Sequence, residues 1–217
     1  MPPSALPWLA TVLVGLAHVL AWRDAFGVSA WAWLGLLYAP LVVLSWLQLR
    51  RDGVLGTLLR PVPGDAARGI AGAALGVAVV YGVARIALRV TPDVVARDLL
   101  GLIRVAIAVP TAPRAAAIVA FAFVEELVWR GAVTHALEGP LGSRRAPWAA
   151  SALFVVAVIP SMHPALIVAG VCLGVVTALL RSMTGRLSVP IVVHAAFTWI
   201  TVEMILPSLW EKIRALG

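Results

Sequence analysis

Two adjacent glutamates, Glu125 and Glu126, and one arginine, Arg130, interrupt an otherwise apolar run at residues 115–133. An apolar run of that length predicts a membrane-spanning helix. Charged groups at membrane depth are costly, so they normally face the interior of a helix bundle or a wet cavity. We therefore interpret the three residues as part of a functional site. The alternative is a buried ion-pair network that only fixes the packing of the helices.

Helical geometry separates the two glutamates. A helix turns about 100° per residue, so Glu126 and Arg130 lie on nearly the same face and can form an ion pair. Glu125 then points about 100° away from that pair and can meet another helix. The same helix thus offers one paired carboxylate and one free carboxylate.

Two histidines in later apolar segments can meet these carboxylates. His163 lies between Pro160 and Pro164, which predict a broken or kinked helix. Non-helical backbone at membrane depth is tolerated only where it lines a cavity, which favours a functional role for His163. His194 lies in a later apolar run, and Thr198 follows four residues on, on the same helical face.

The other histidines are assigned structural roles. His18 lies alone in the first apolar run and is interpreted as a packed or interfacial residue. His135 follows the glutamate-bearing run and is interpreted as a cap at the C-terminal end of its helix. Glu203, near the end of the last apolar run, is assigned no role.

A free carboxylate and two histidines in one bundle suit two chemistries. In the first, a glutamate and a histidine deprotonate a water that attacks a carbonyl, and other polar groups stabilise the oxyanion. In the second, His163, His194 and Glu125 bind zinc, and the metal activates the water. Neither the spacing nor the composition separates these two possibilities.

The composition predicts an all-α polytopic membrane protein. Of the 217 residues, 62% are hydrophobic and 12% are charged, whereas soluble chains are about one quarter charged. The net charge of +7 comes from loop arginines that orient the helices, so we predict no nucleic-acid partner. We predict one integral-membrane domain over residues 1–217, with N-terminal spans at 1–110 and catalytic core helices at 111–206.

The apolar runs predict a transmembrane helical bundle of about seven spans with one short interfacial or re-entrant segment. The predicted spans are Leu6–Trp22 and residues 30–49, 69–88, 114–137, 148–159, 165–180 and 189–206. The short segment is 99–109, which carries Arg104, and residues 89–98 before it are predicted to be a polar connection. The arginine bias predicts a cytoplasmic side for the connections at 50–68 and 139–145.

Three separated elements of the sequence resemble the CAAX-protease and bacteriocin-processing family (CPBP) of intramembrane glutamic endopeptidases. They are Glu125-Glu126-Leu127-Val128-Trp129-Arg130, then His163, then Gly185-Arg186-Leu187-Ser188-Val189-Pro190-Ile191-Val192-Val193-His194-Ala195. The elements occur in the order that the family has, and the resemblance covers residues 121–200.

The resemblance implies roles for the residues of the first two elements. It implies that Glu125 and His163 activate the water, and that Glu126 and Arg130 support the site. The family often has phenylalanine four residues before the middle histidine, where this chain has Ile159.

The resemblance also implies that His194, with the residue four positions later, polarises the scissile carbonyl. The family usually has asparagine at that later position, and this chain has Thr198. A threonine hydroxyl can still donate one hydrogen bond.

The family includes prenyl-protein proteases, bacteriocin maturation or immunity proteins, and sorting-type (myxosortase-like) enzymes that remove C-terminal membrane anchors from surface proteins. The resemblance therefore implies an intramembrane endopeptidase that acts on a membrane-anchored protein or peptide substrate. We expect it in the lipid bilayer of a bacterial cytoplasmic (inner) membrane. A bacteriocin-related role is the alternative within the family, and a non-catalytic transporter or scaffold is the alternative outside it.

We expect a glutamate-type enzyme without a cofactor. Arg130 adds positive charge beside the site, which disfavours a divalent cation nearby. Zinc-binding histidines usually need a carboxylate that orients them, and Glu126 is expected to be paired with Arg130 already. Zinc is the alternative cofactor.

Overall fold

The computed structural model describes residues 5–22, 29–107 and 110–209, and within these ranges the chain forms helices and no strand. The α-helices are α1 (Leu6–Trp22), α2 (Ala30–Arg51), α3 (Leu55–Leu59), α4 (Asp65–Val90), α5 (Pro92–Ile107), α6 (Thr111–Glu126), α7 (Thr134–Leu141), α8 (Ala146–Val158), α9 (Pro164–Thr184) and α10 (Ser188–Ile200). The π-helical segments Leu127–Val133 and Thr201–Ile205 follow α6 and α10, and the 3-10 segment Ile159–Ser161 follows α8. The predicted all-α class is confirmed.

Four of the described helices are long and apolar enough to cross a membrane. They are Ala30–Arg51, Asp65–Val90, Pro164–Thr184 and Ser188–Leu209. Leu6–Trp22 and Ala146–Ser161 are shorter apolar helices. The chain is thus an integral membrane protein, and the total of about seven spans stays a prediction.

The helix that carries both glutamates changes its winding directly after them. α6 ends at Glu126, and all residues of the π-helical segment Leu127–Val133 are buried. Two carbonyl oxygens of this segment accept side-chain donors: that of Trp129 from Thr134 Oγ1 at 2.9 Å, and that of Arg130 from Arg181 Nε at 3.0 Å. Such π-helical turns occur frequently at functional sites.

The helix break predicted around His163 is confirmed. α8 ends at Val158, a single 3-10 turn follows, and Met162 adopts left-handed backbone with φ 57°. α9 then begins at Pro164, and His163 is its N-cap residue with extended backbone. Proline is favoured in the first turn of a helix, where its missing N–H is not needed.

The predicted polar connection at residues 89–98 is wrong. α4 continues to Val90 and α5 begins at Pro92, so these residues are mostly helical. α5 is amphipathic: it buries Leu99 and exposes Arg97. Its polar residues mark the outer face of a helix and not a loop. In the predicted short segment 99–109, the Arg104 side chain and residues 108–109 lie outside the described part.

The arginine-rich connections meet at one end of the bundle. His135 Nε2 lies 3.3 Å from Asp52 Oδ2, and its Nδ1 lies 3.3 Å from Glu138 Oε2. His135 therefore joins the end of α2 to α7, where a helix cap was expected. Leu187 N donates to the carbonyl oxygen of Leu58 at 2.8 Å, which brings the connection before α10 to the same end.

The site-bearing helices pack around α10. α10 contacts α4, α6 and α9, and α1 contacts α2 and α8. The segment Leu127–Val133 contacts α2, α8 and α9. The two glutamates therefore lie where helices distant in sequence converge.

Candidate active site

The ion pair predicted within the glutamate helix is present. Glu126 Oε1 lies 3.3 Å from Arg130 Nη1, and both side chains are fully buried. Arg130 also faces an aromatic ring, since its Cζ lies 4.9 Å from the ring centroid of Phe154. An arginine in this position can be stabilised by cation–π attraction as well as by the carboxylate.

Glu125 points away from that pair and meets two other helices. Its Oε1 accepts a hydrogen bond from the hydroxyl of Tyr38 on α2 at 2.8 Å. Its Oε2 lies 3.2 Å from Nε2 of His194 on α10. Trp129 Nε1 donates to the Tyr38 hydroxyl at 3.1 Å, which fixes that group in turn.

His194 joins the two carboxylates. Its Nδ1 lies 2.9 Å from Glu126 Oε1, on the side opposite the contact with Glu125. The imidazole is buried at 6% exposure. His194 thus lies between the two carboxylates, and Arg130 contacts the same oxygen of Glu126 that His194 contacts.

A cavity of about 340 Å³ lies against this cluster. Most of its wall is apolar. The wall is formed by eight α-helices, α1, α2, α4, α5, α6, α8, α9 and α10, and by the helical residues that follow α10. The polar side chains in the wall are those of His18, Asp98, Glu125, His194, Thr198 and Thr201. A mostly apolar pocket with a few converging polar groups is the usual form of a binding or catalytic site.

His163 lies beside the same cavity and has different partners. Its Nδ1 is 2.7 Å from Asp98 Oδ1, and its ring centroid is 4.3 Å from that of Trp22. Asp98 Oδ2 also accepts from Ala165 N at 2.6 Å, at the start of α9. Asp98 and Trp22 line the cavity, so His163 is connected to it through these two residues.

The structure thus brings four of the predicted site residues into one cluster, Glu125, Glu126, Arg130 and His194. Thr198 lines the adjoining cavity. His163 contacts Asp98 and Trp22, and Glu125 contacts Tyr38 and His194.

Sequence reasoning missed Tyr38 and Asp98. Tyr38 lies in the middle of an apolar span, away from the interfacial positions where tyrosine is common, and that placement was the available signal. Asp98 was assigned to a polar connection, so its role beside His163 was hidden by the wrong helix boundary.

Imidazole and carboxylate groups of the kind that zinc prefers are present in His194 and Glu125. Within residues 5–22, 29–107 and 110–209, no group of three or more His, Cys, Asp or Glu side chains is arranged to hold a metal ion.

Comparison with known proteins adds one match. Residues 107–200 match the family model described as type II CAAX prenyl endopeptidase Rce1-like. No curated protein and no solved structure matches the chain. The matched segment contains both glutamates, the helix break and His194, and the family is one of CAAX-type intramembrane proteases. Residues 107–200 are thus similar to the Rce1-like type II CAAX prenyl endopeptidases, and this similarity covers a little less than half of the chain.

Proposed function

We propose that the protein is an intramembrane endopeptidase that hydrolyses a peptide bond in or near a membrane-anchored segment. The observation that carries the proposal is the position of His194, whose two nitrogens lie 3.2 Å from Glu125 and 2.9 Å from Glu126 at the wall of a cavity. Intramembrane carboxylates are costly, so their presence indicates a functional site. A carboxylate–imidazole cluster is suited to water activation.

In the proposed reaction, Glu125 is the general base. Its side chain keeps 15% exposure while Glu126 has none, so Glu125 is the carboxylate that a water in the cavity can reach. The water oxygen bonds to the scissile carbonyl carbon as one water proton passes to Glu125. That proton then passes to the amine nitrogen as the C–N bond breaks, which restores the carboxylate.

Two donors serve the oxyanion in this proposal. Nε2 of His194 exchanges its contact with Glu125 for the carbonyl oxygen of the substrate, and the Thr198 hydroxyl donates a second hydrogen bond. Glu126 and Arg130 are positioning residues. Glu126 holds Nδ1 of His194, and Arg130 balances the charge of Glu126.

We propose that His163, predicted to share the water with Glu125, supports water activation through its two partners. Asp98 accepts from its Nδ1, and Trp22 contacts its ring. Both Asp98 and Trp22, which contact the ring, line the cavity that Glu125 lines.

For the substrate, we propose the anchor region of a membrane protein in a bacterial cytoplasmic membrane. The apolar wall of the cavity supports a hydrophobic segment over a polar one. The finer proposal is a sorting-type enzyme that removes C-terminal anchors from surface proteins. A bacteriocin maturation or immunity role within the same family is the second candidate.

The test compares membrane-protein processing in cells that carry the intact gene with cells that lack it, by sequencing newly formed peptide ends. A matched strain carries Glu125→Gln at equal protein abundance. We expect gene-dependent cleavage sites near hydrophobic anchors, absent with Glu125→Gln. Cleavage that continues with Glu125→Gln, or no gene-dependent cleavage at all, would refute the protease proposal.

A further inference from the structure

α1 carries an imidazole that the proposed mechanism leaves unused. His18 is buried at 5% exposure and lines the same cavity as Glu125 and His194. The negative charge of the Glu125 carboxylate acts on the ring of His18. His18 is thus buried, as the sequence predicted, and it is also part of the wall of the cavity.

The ring of His18 is held in a defined orientation. Its Nδ1 lies 2.9 Å from the carbonyl oxygen of Val14, one turn earlier on the same helix. Because a carbonyl oxygen can only accept, Nδ1 carries a proton, and in the neutral ring Nε2 keeps its lone pair. His18 therefore offers one hydrogen-bond acceptor in the cavity wall.

The neighbouring helix α8 places no hydrogen-bond acceptor side chain in this part of the cavity wall. The side chains of α8 that line the cavity are Phe154 and Val158, and neither carries an imidazole. His163 follows the end of α8, where its Nδ1 is bound to Asp98. Trp22, four residues after His18 and so on the same face of α1, contacts the His163 ring.

We infer that His18 is a further catalytic residue, which orients the attacking water together with Glu125. One O–H of the water gives its proton to Glu125 as the water oxygen bonds to the carbonyl carbon. The other O–H donates a hydrogen bond to Nε2 of His18, which directs the oxygen lone pair at the carbonyl. The inference rests on the proposed function, and His18 ends the cycle unchanged.

Three variants test this role on a synthetic peptide that spans a gene-dependent cleavage site, with the enzyme in detergent. His18→Asn keeps a donor for the Val14 carbonyl and loses Nε2, His18→Gln can place an amide oxygen near the position of Nε2, and His18→Ala removes both groups. We expect kcat to fall about 10²-fold in His18→Asn and His18→Ala, with KM little changed. His18→Gln should retain more activity than His18→Asn.

Imidazole added to the solution should partly restore kcat in His18→Ala, which a purely structural role would not produce. His135→Ala is the matched control, because His135 lies outside the cavity and pairs with Asp52 and Glu138. We expect this control to keep its kcat and to show no response to imidazole. If His18→Ala aggregates, the comparison of His18→Gln with His18→Asn tests the role of His18. A higher kcat in His18→Gln supports the role, and equal values contradict it.

Wild-type kcat in His18→Asn, beside an inactive Glu125→Gln, would overturn the role of His18 and leave the protease proposal intact. Equal losses in His18→Asn and His18→Gln without rescue by imidazole in His18→Ala would also overturn it. An active Glu125→Gln would instead refute the proposed function itself.

Discussion

Two polar clusters of this protein are built on buried carboxylates and differ in how completely their atoms are paired. The first is the Asp65 cluster at the start of α4. Asp65 accepts from Arg186 Nη2 at 2.8 Å, from Ser188 Oγ at 2.5 Å and from Val62 N at 3.0 Å. Both of its oxygens have donors, so the cluster is saturated.

The second is the glutamate cluster, formed by Glu125, Glu126, Arg130 and His194. Here Glu126 Oε2 and the three guanidinium nitrogens of Arg130 are buried and make no hydrogen bond of good geometry in the described part of the chain. Arg130 is held by its ion pair and by the ring of Phe154.

Buried polar groups are normally hydrogen-bonded, and each exception needs an explanation. A saturated cluster joins chain segments, and the Asp65 cluster joins the start of α4 to the start of α10. A cluster whose buried charged atoms lack hydrogen bonds lowers the stability of the fold. Its presence is therefore better explained by a catalytic role. The comparison predicts that substitutions in the glutamate cluster change rate and that substitutions in the Asp65 cluster change stability.

The largest effect is expected from Glu125→Gln. Loss of the general base should lower kcat about 10³-fold, while the thermal midpoint in detergent stays close to that of the wild type. Peptide cleavage by the purified variant measures the first quantity, and a melting curve on the same sample measures the second. A wild-type rate in Glu125→Gln would contradict the catalytic role that distinguishes the glutamate cluster from the Asp65 cluster.

Thr198→Ala should have a smaller effect on the same reaction. It removes one hydroxyl donor among several groups, so we expect a loss in kcat of about 10²-fold at most. The measurement is the ratio of the two residual rates under identical conditions. Equal residual rates in Thr198→Ala and Glu125→Gln would contradict the roles assigned to them.

Asp65→Asn should act on stability alone. Loss of the charge weakens the bonds from Arg186 and Ser188, which should lower the free energy of unfolding by about 1–3 kcal/mol. Activity per folded molecule should stay that of the wild type. Denaturation in detergent, with the active fraction counted, measures both. A fall in kcat without a loss of stability would show that the Asp65 cluster serves catalysis.

Removal of metal ions should have the smallest effect. The carboxylates of the glutamate cluster already face His194 and Arg130, so we expect activity to survive exhaustive chelation. Metal content is measured on the same sample as peptide cleavage. Stoichiometric zinc, with activity lost on chelation and restored by zinc, would identify a metalloprotease instead.

The parts of the site that could be predicted from sequence are those set by one helix. The pairing of Glu126 with Arg130 and the different direction of Glu125 follow from helical periodicity alone. The contact of Glu125 with Tyr38 joins residues 87 positions apart and depends on how α2 packs. The position of His18 in the cavity wall depends on packing in the same way, because only the packed bundle shows which face of α1 meets the cavity.

The fold shows the same limit. The all-α class followed from composition, and the helix break followed from two prolines, both of which are local signals. The start of α5 does not follow from the sequence, because its polar residues also fit the predicted connection at 89–98. Only packing against neighbouring helices shows that they form the outer face of an amphipathic helix.

The π-helical segment Leu127–Val133 also constrains how this protein can evolve. Loss or gain of one residue there would not alter a loop but would rotate one half of a buried helix against the other by about 100°. Arg181, which binds the carbonyl oxygen of Arg130, and Phe154, which faces its guanidinium, would both lose their partner. We therefore expect descendants of this sequence to vary in side chains along the segment and to keep its length.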